Sequence, residues 1–180
     1  MASAFSHAVA ALAIGKLFSI RNIDKKIWLL GVFCAVIPDA DVIAFKFGIP
    51  YESVWGHRGI THSLFFAVFL ALAGTLFFYR EEQRLSKRWF ALFAFFFLCT
   101  ASHAFLDAMT TGGLGVAFFA PFDNTRFFFP FRPIRVSPIG VANFFSEWGW
   151  RVLKSEFIWI WIPSFIIIMV SYSVRKLYSR

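Results

Sequence analysis

Residues 89–107 read WFALFAFFFLCTASHAFLD. From Trp89 to Leu106 there is no formal charge, over a length close to the ~20 residues an α-helix needs to cross a bilayer. The stretch closes on His103 and Asp107, an i,i+4 pair that shares one helical face a turn apart. An apolar span ending in an imidazole and a carboxylate predicts a membrane helix with chemistry at one end, because ionisable groups are costly there and usually functional.

Working outward, four further apolar segments flank this one. They run roughly Phe5–Ile20, Ile27–Phe47, Thr61–Tyr79 and Phe157–Tyr172. The second is interrupted at Pro38-Asp39-Ala40-Asp41, where a proline removes a backbone donor and should end or break the helix. The expected fold is all-α, a single polytopic bundle of four to five membrane helices over residues 1–180. Residues 110–156 would form an irregular cap at the outer face, since they hold Pro121, Pro130, Pro133 and Pro138, several glycines and many aromatic residues.

Composition agrees. The 180 residues are 59% hydrophobic, 21% aromatic and only 16% charged, with 27 phenylalanines, where a soluble domain is about a quarter charged. Mean hydropathy is +0.67. The net charge of +8 falls in short clusters between apolar runs, which is a topology signal and argues against nucleic acid as a partner. Cys34 and Cys99 lie in separate apolar runs without a CxxC pattern, as small interior residues do. No basic residue precedes Lys16, so a cleaved signal peptide is not expected.

Orientation follows from the short loops. Arg21, Lys25, Lys26, Arg80, Arg84, Lys87, Arg88, Arg175, Lys176 and Arg180 all fall on one side if the segments alternate. That side would be cytoplasmic, with the N-terminus periplasmic and the C-terminus cytoplasmic. The same alternation, drawn without reference to any ligand, gathers His7, Asp39, Asp41, His57, His62, His103 and Asp107 at the opposite face. Those are all four histidines and three of the ten acids.

Each motif has a plain reading and a chemical one. His103 and Asp107 could bind one metal, or the aspartate could orient the imidazole. In His57-Arg58-Gly59-Ile60-Thr61-His62-Ser63, Gly59 permits a tight path, and Thr61 or Ser63 can cap the helix that follows. Its two histidines can converge on a centre, and Arg58 suits an anionic group; the plain reading is a capping segment at the membrane surface. Asp39 and Asp41 could also form a proton or cation relay. Imidazole and carboxylate without thiolate fit one to three Zn2+ ions, with Mn2+ or Fe2+ as alternatives. A pair of such ions clamps the attacking and leaving oxygens of a phosphoester.

Taken in order, His7, the Pro-Asp-x-Asp of Asp39 and Asp41, the HRGxTHS of residues 57–63 and the HxxLDxxTxxG of residues 103–112 resemble the YdjM/YbcI-like family. Its members are described as LexA-regulated, membrane-bound metal-dependent hydrolases of the bacterial inner membrane, part of the SOS response. The family is distantly similar to zinc-dependent phospholipase C and P1 nuclease. That likeness implies His7, Asp39 or Asp41, His57 or His62, His103 and Asp107 as metal ligands. Two features of the phospholipase pattern differ: its mature N-terminal amine is a ligand, whereas His7 follows six residues here, and its later ligands have no histidine counterpart after His103, only Glu147 or Glu156.

The combined expectation is a hydrolase, specifically a phosphoesterase acting on a lipid or other phosphate ester at the periplasmic face of the inner membrane. Its catalytic residues would be Asp39, Asp41 and Arg58, with Arg126, Arg132 and Arg135 of the cap meeting a phospholipid headgroup. The alternatives are a metal-ion or proton transporter, and a non-catalytic membrane protein retaining a metal site. Ligands at the outer interface favour hydrolysis; ligands at the midplane with a path to both sides favour transport.

Overall fold

The computed structural model describes residues 1–18 and 24–178; Arg21 and Arg180 of the topology argument lie outside them, as does the expected end of the first segment at Ile20. The regular secondary structure of the described residues is helical, with no β-strand among them. Helix α1 covers Ala4–Leu17 and α2 covers Lys25–Val36, where the side chain of Asp24 accepts from the Ile27 N–H at 2.8 Å. Pro38 then tightens the chain into a 3₁₀ helix, Ile37–Phe47, which stops at Gly48 with φ 71°. Helix α3 (Leu64–Phe78) starts on Ser63 and α4 (Lys87–Ala108) on Ser86, each hydroxyl accepting from the N–H three residues on. These caps satisfy amides that have no partner inside the helix.

Past α4 the chain is irregular to residue 140, tied down by isolated bridges between Thr110 and Ile134 and between Val116 and Phe127. A short α5 (Val141–Phe144) leads to α6 (Glu147–Glu156), a π-helical turn (Phe157–Trp161) and α7 (Ile162–Tyr178). The last helical stretch thus begins ahead of the expected start at Phe157. Lys154 and Glu156 disguise its first turns, while Ser146 caps them by accepting from Gly149. The π turn ends two residues before Pro163, which lacks an N–H and would crowd the carbonyl four residues back in a regular helix.

Helix α4 is the hub, with α1, α2 and α3 packed around it and α7 leaning on α1. Its inner face buries Leu92, Phe95, Phe96 and Cys99 against Ala11, Ile27, Cys34 and Ala71. Lipid tails are as apolar as these side chains, so close packing rather than water exclusion favours association. Gly31 lets α2 come close to α4: a Cβ there would lie 2.4 Å from Cζ of Phe95. Three helical stretches are long and apolar enough to cross a membrane, Lys25–Phe47, Lys87–Ala108 and Glu147–Leu177; α1 and α3 are apolar but shorter. Phe33, Phe69, Phe77, Phe165, Ile166 and Met169 are all at least half exposed, as lipid-facing side chains are.

The two ends of the bundle differ chemically. At one end Lys26 donates to the carbonyl of Phe78, Arg88 pairs with Glu82, and Arg175 donates to the carbonyls of Lys16 and Phe18. At the other end stand the start of α1, the end of α2, the approach to α3 and the end of α4. On α4, His103 and Asp107 lie about 24 and 30 Å along the axis from Lys87, nearly the full depth of a hydrocarbon core of about 30 Å.

Candidate metal centre

The elements ending at this second end bring all seven expected ligands into one buried cluster. His7, His57, His62, His103 and Asp107 are essentially inaccessible to solvent, and the side chains of Asp39 and Asp41 are 10% and 3% exposed. Asp39, His62, His103 and Asp107 each offer one ligand atom, and these atoms all lie within 4.8 Å of one another. Asp41, His57 and His62 form a second such group. His7 stacks on His103 with ring centroids 3.8 Å apart and sets Nε2 3.6 Å from Asp107 Oδ1.

Local chain chemistry fixes each ring. Pro38 has no N–H to give Ala35, its 3₁₀ partner three residues back, and His103 Nδ1 lies 2.7 Å from that carbonyl. A carbonyl can only accept, so His103 carries its proton on Nδ1 and presents a lone pair at Nε2. Asp107 is therefore not what orients His103, although the two share a helical face. His62 Nδ1 faces Asp41 Oδ2 at 3.2 Å and Thr61 Oγ1 at 3.0 Å. Thr61 already donates to Asp41 at 2.6 Å, so Nδ1 of His62 must also donate, leaving its own Nε2 lone pair directed at the cluster.

Those two Nε2 atoms lie 3.0 Å apart. Asp39 Oδ1 is 3.3 Å from one and 3.6 Å from the other, and Asp107 Oδ2 is 3.6 Å from His62 Nε2. With both imidazoles neutral, four lone-pair donors converge with no hydrogen among them. Both oxygens of Asp39 and both ring nitrogens of His7 have no hydrogen-bond partner, where buried polar atoms are normally paired. The cluster needs a positive charge at its centre. The spacings suit an ion with bonds of about 2.0–2.2 Å, whose neighbouring ligands sit roughly 3.0–3.5 Å apart. Charge agrees: three carboxylates and the Arg58 guanidinium leave the side chains at −2 with neutral histidines, which a divalent cation balances.

Asp41 does different work. Oδ1 lies 2.6 Å from His57 Nδ1, while Oδ2 accepts from the Thr61 hydroxyl and the Arg58 N–H. It is a carboxylate that orients two histidines, the usual arrangement behind metal-binding imidazoles. Burial pushes His57 below its usual pKa against the opposing hydrogen bond from Asp41. For His62 burial also works downward, but Asp107, Asp39 and Asp41 outweigh it and raise the ring to about 10. Without a metal, then, the required positive charge is a second proton on His62.

Arg58, expected to hold an anionic group, is sealed inside the protein. It donates to the Gly112 carbonyl and to Thr110 Oγ1, both at 2.9 Å, and its Nε lies 3.0 Å from Asp107 Oδ2. Its backbone sits at φ 62°, uncommon for a residue with a side chain. The turn beneath is closed by Gly59, where a Cβ would fall 2.2 Å from the Val54 carbonyl oxygen. Ser63 supplies the cap to α3, accepting from the Phe66 N–H at 3.0 Å. In the cap, Arg126 donates to the carbonyls of His57, Tyr51 and Ser53, and Arg132 lies over the Phe128 ring. Arg126 thus braces the histidine loop from outside.

Three contacts escape a reading of the sequence. The first is the Ala35 carbonyl, which only the proline three residues later hints at. The second is the Thr110 and Gly112 clamp on Arg58. The third is the N-terminal segment: Ala2 N–H donates to Asp107 Oδ1 at 2.6 Å, and the Met1 amino group is 3.9 Å from Oδ2. Glu156 anchors that segment by accepting from the Ser3 N–H and from the hydroxyls of Ser3 and Ser6. Glu147 is exposed and faces Arg151. Neither glutamate belongs to the ligand groups.

Comparison with known proteins agrees with this architecture. The family model described as YdjM inner membrane protein matches residues 1–178. The chain is 35% identical over 172 residues to the inner membrane protein YbcI of Escherichia coli (strain K12), covering 93% of this chain and 95% of that protein. No solved structure matches.

Proposed function

The chain belongs to the YdjM family of inner membrane proteins, and from that premise we propose that it is a metal-dependent hydrolase, a phosphoesterase working at the periplasmic face. The observation that carries the proposal is the pair of imidazole Nε2 atoms 3.0 Å apart, each turned inward by the partner of its Nδ1, beside Asp107 and beside Asp39, whose oxygens have no hydrogen-bond partner. His62, His103, Asp39 and Asp107 would hold the ion, zinc by donor chemistry, and His7 lines the same space. When bound, a divalent cation supplies Lewis acidity, lowering the pKa of water toward neutrality and polarising a phosphoryl oxygen.

The chain's own groups do the rest. The Ala35 carbonyl and Asp41 keep His103 and His62 in the tautomers that turn Nε2 inward. Arg58, held by Thr110 and Gly112, neutralises and orients Asp107. Asp39 Oδ2, also without a partner, would take the proton of the attacking water and return it to the leaving oxygen of the ester as its bond to phosphorus breaks. His57, neutral and held by Asp41, stands at the loop side of the same site. The positive-inside rule puts the basic end of the bundle in the cytoplasm and this cluster on the periplasmic side.

Packing favours hydrolysis over transport. Between the cluster and the basic end, the interior is filled by Leu92, Phe95, Phe96, Cys99 and their partners. The buried hydroxyls there, Thr75 and Thr100, are spent on carbonyls of their own helices. Among the described residues, that layer offers no polar path. Elemental analysis of detergent-purified protein tests the proposal. Wild type should carry at least one equivalent of metal and hydrolyse a phosphate ester, and His103→Ala should lose both; wild type without stoichiometric metal overturns it.

A further inference from the structure

The basic end of the bundle holds a cavity that hydrolysis at the metal centre does not use. It measures about 490 Å³, within the range of roughly 300–1,000 Å³ in which small-molecule sites fall. Three elements build it. Asp24 and Lys26 come from the start of α2, Arg80, Glu81 and Glu82 from the link between α3 and α4, and Arg88 from the first turn of α4. The lining thus carries three cations and three carboxylates and is electrically neutral. These groups are open to a ligand. The Arg88 and Glu82 side chains are 38% and 24% exposed, and the other four residues are exposed.

Little of this charge is spent internally. Arg88 meets Glu82 through one terminal nitrogen at 3.1 Å, Lys26 gives one proton to the Phe78 carbonyl, and Asp24 uses Oδ1 on the Ile27 N–H. Arg80 and Glu81 make no such contact among the described residues. Beneath the rim, Arg88 Nε and the Tyr79 hydroxyl are enclosed without a hydrogen-bond partner. A simple anion drawn to the three cations would meet three carboxylates at the same time, and such like-charge contact is costly. The lining suits a ligand that carries both signs. Position selects its source. The cavity lies where the spans Lys25–Phe47 and Lys87–Ala108 begin, at one surface of the membrane. Phe77 and Phe78, 78% and 50% exposed on the last turn of α3, also line it and offer apolar contact to lipid chains.

We propose that this cavity binds the headgroup of an aminophospholipid from the leaflet at the basic end, its phosphodiester on Lys26, Arg80 and Arg88 and its primary ammonium on Asp24, Glu81 and Glu82. The site is separate from the metal centre, which lies at the far end of α4. A primary ammonium has three N–H donors for the carboxylates, whereas a trimethylated one has none. A glycerol headgroup leaves the phosphate charge uncompensated against the same carboxylates.

The experiment titrates full-length protein in non-ionic detergent with phosphatidylethanolamine, phosphatidylcholine and phosphatidylglycerol of identical acyl chains, counting bound lipid by native mass spectrometry. The ethanolamine lipid should bind about tenfold tighter than the choline lipid, the effect of one hydrogen bond to a charged group. The glycerol lipid should also bind more weakly than the ethanolamine lipid. Glu81→Gln with Glu82→Gln takes the lining from neutral to +2. In that variant the ethanolamine advantage over choline should vanish and the glycerol lipid should become the tightest, a gain that a misfolded protein cannot show. Arg80→Gln with Arg88→Gln should weaken all three lipids, since each carries the phosphate, while Arg132→Gln at the opposite end changes none. Equal binding of the three lipids by wild type, or a Glu81→Gln, Glu82→Gln variant that keeps the wild-type order, overturns the proposal. Displacement of the ethanolamine lipid by an equal concentration of glycerophosphoethanolamine also overturns it, because a soluble zwitterion would then be the ligand.

Discussion

Metal uptake should release a proton, and its size can be worked from the cluster. In the metal-free protein His62 is raised to about 10, because hydrogen bonds to Asp107, Asp39 and Asp41 overcome the effect of burial. A metal must displace the second proton, since only a neutral imidazole has a lone pair to offer. At pH 7 that proton lies three units below the raised value, which costs about 4 kcal/mol at ~1.36 kcal/mol per unit. Apparent affinity for Zn2+ at pH 7 should therefore be about a thousandfold weaker than above pH 10. Between pH 7 and 9 it should climb by about one decade per unit. Calorimetric titration in two buffers of different ionisation enthalpy, near pH 7.5, should report about one proton released per ion from this ring. The sign for stability is the opposite. With its folded pKa raised, His62 stabilises the metal-free fold fully below the unfolded value of about 6.5, and that contribution is lost as pH rises through about 10. Binding enthalpies that do not change with buffer, together with a pH-independent affinity, would refute the reasoning by showing the ring neutral before metal arrives.

Two substitutions probe the supports of the site. Arg58→Lys removes the fork that spans Gly112, Thr110 and Asp107; metal affinity should fall about 10–100-fold, as when other partners of ligands are lost, read by competition with a chromophoric chelator. Glu156→Gln weakens the anchor on Ser3 and Ser6 and should lower stability by about 1–3 kcal/mol, measured by thermal unfolding in detergent, while metal stoichiometry stays at the wild-type value.

Much of this architecture was legible in the chain. The uncharged run before Asp107 and its counterparts along the sequence determined a helical membrane protein. The placement of basic residues sorted the segment ends into two classes and put every histidine in one of them. Pro38 marked where α2 must stop. Less legible were helix boundaries hidden by charge, as at Lys154 and Glu156, where a short amphipathic turn precedes the apolar run. The sequence could gather ligands at one end but could not divide labour among them. Asp39 and Asp41 are the same residue type two positions apart, and only their neighbours distinguish an unpartnered carboxylate from one engaged with His57, Thr61 and the Arg58 amide. Arg58 likewise reads as an open cation until its enclosure by Thr110 and Gly112 is seen. Residue type and spacing determine which groups reach one end of the bundle, because helix periodicity and bilayer thickness are local rules. Which lone pairs stay free depends on hydrogen bonds between residues as far apart as Ala35 and His103, and only the folded chain decides those.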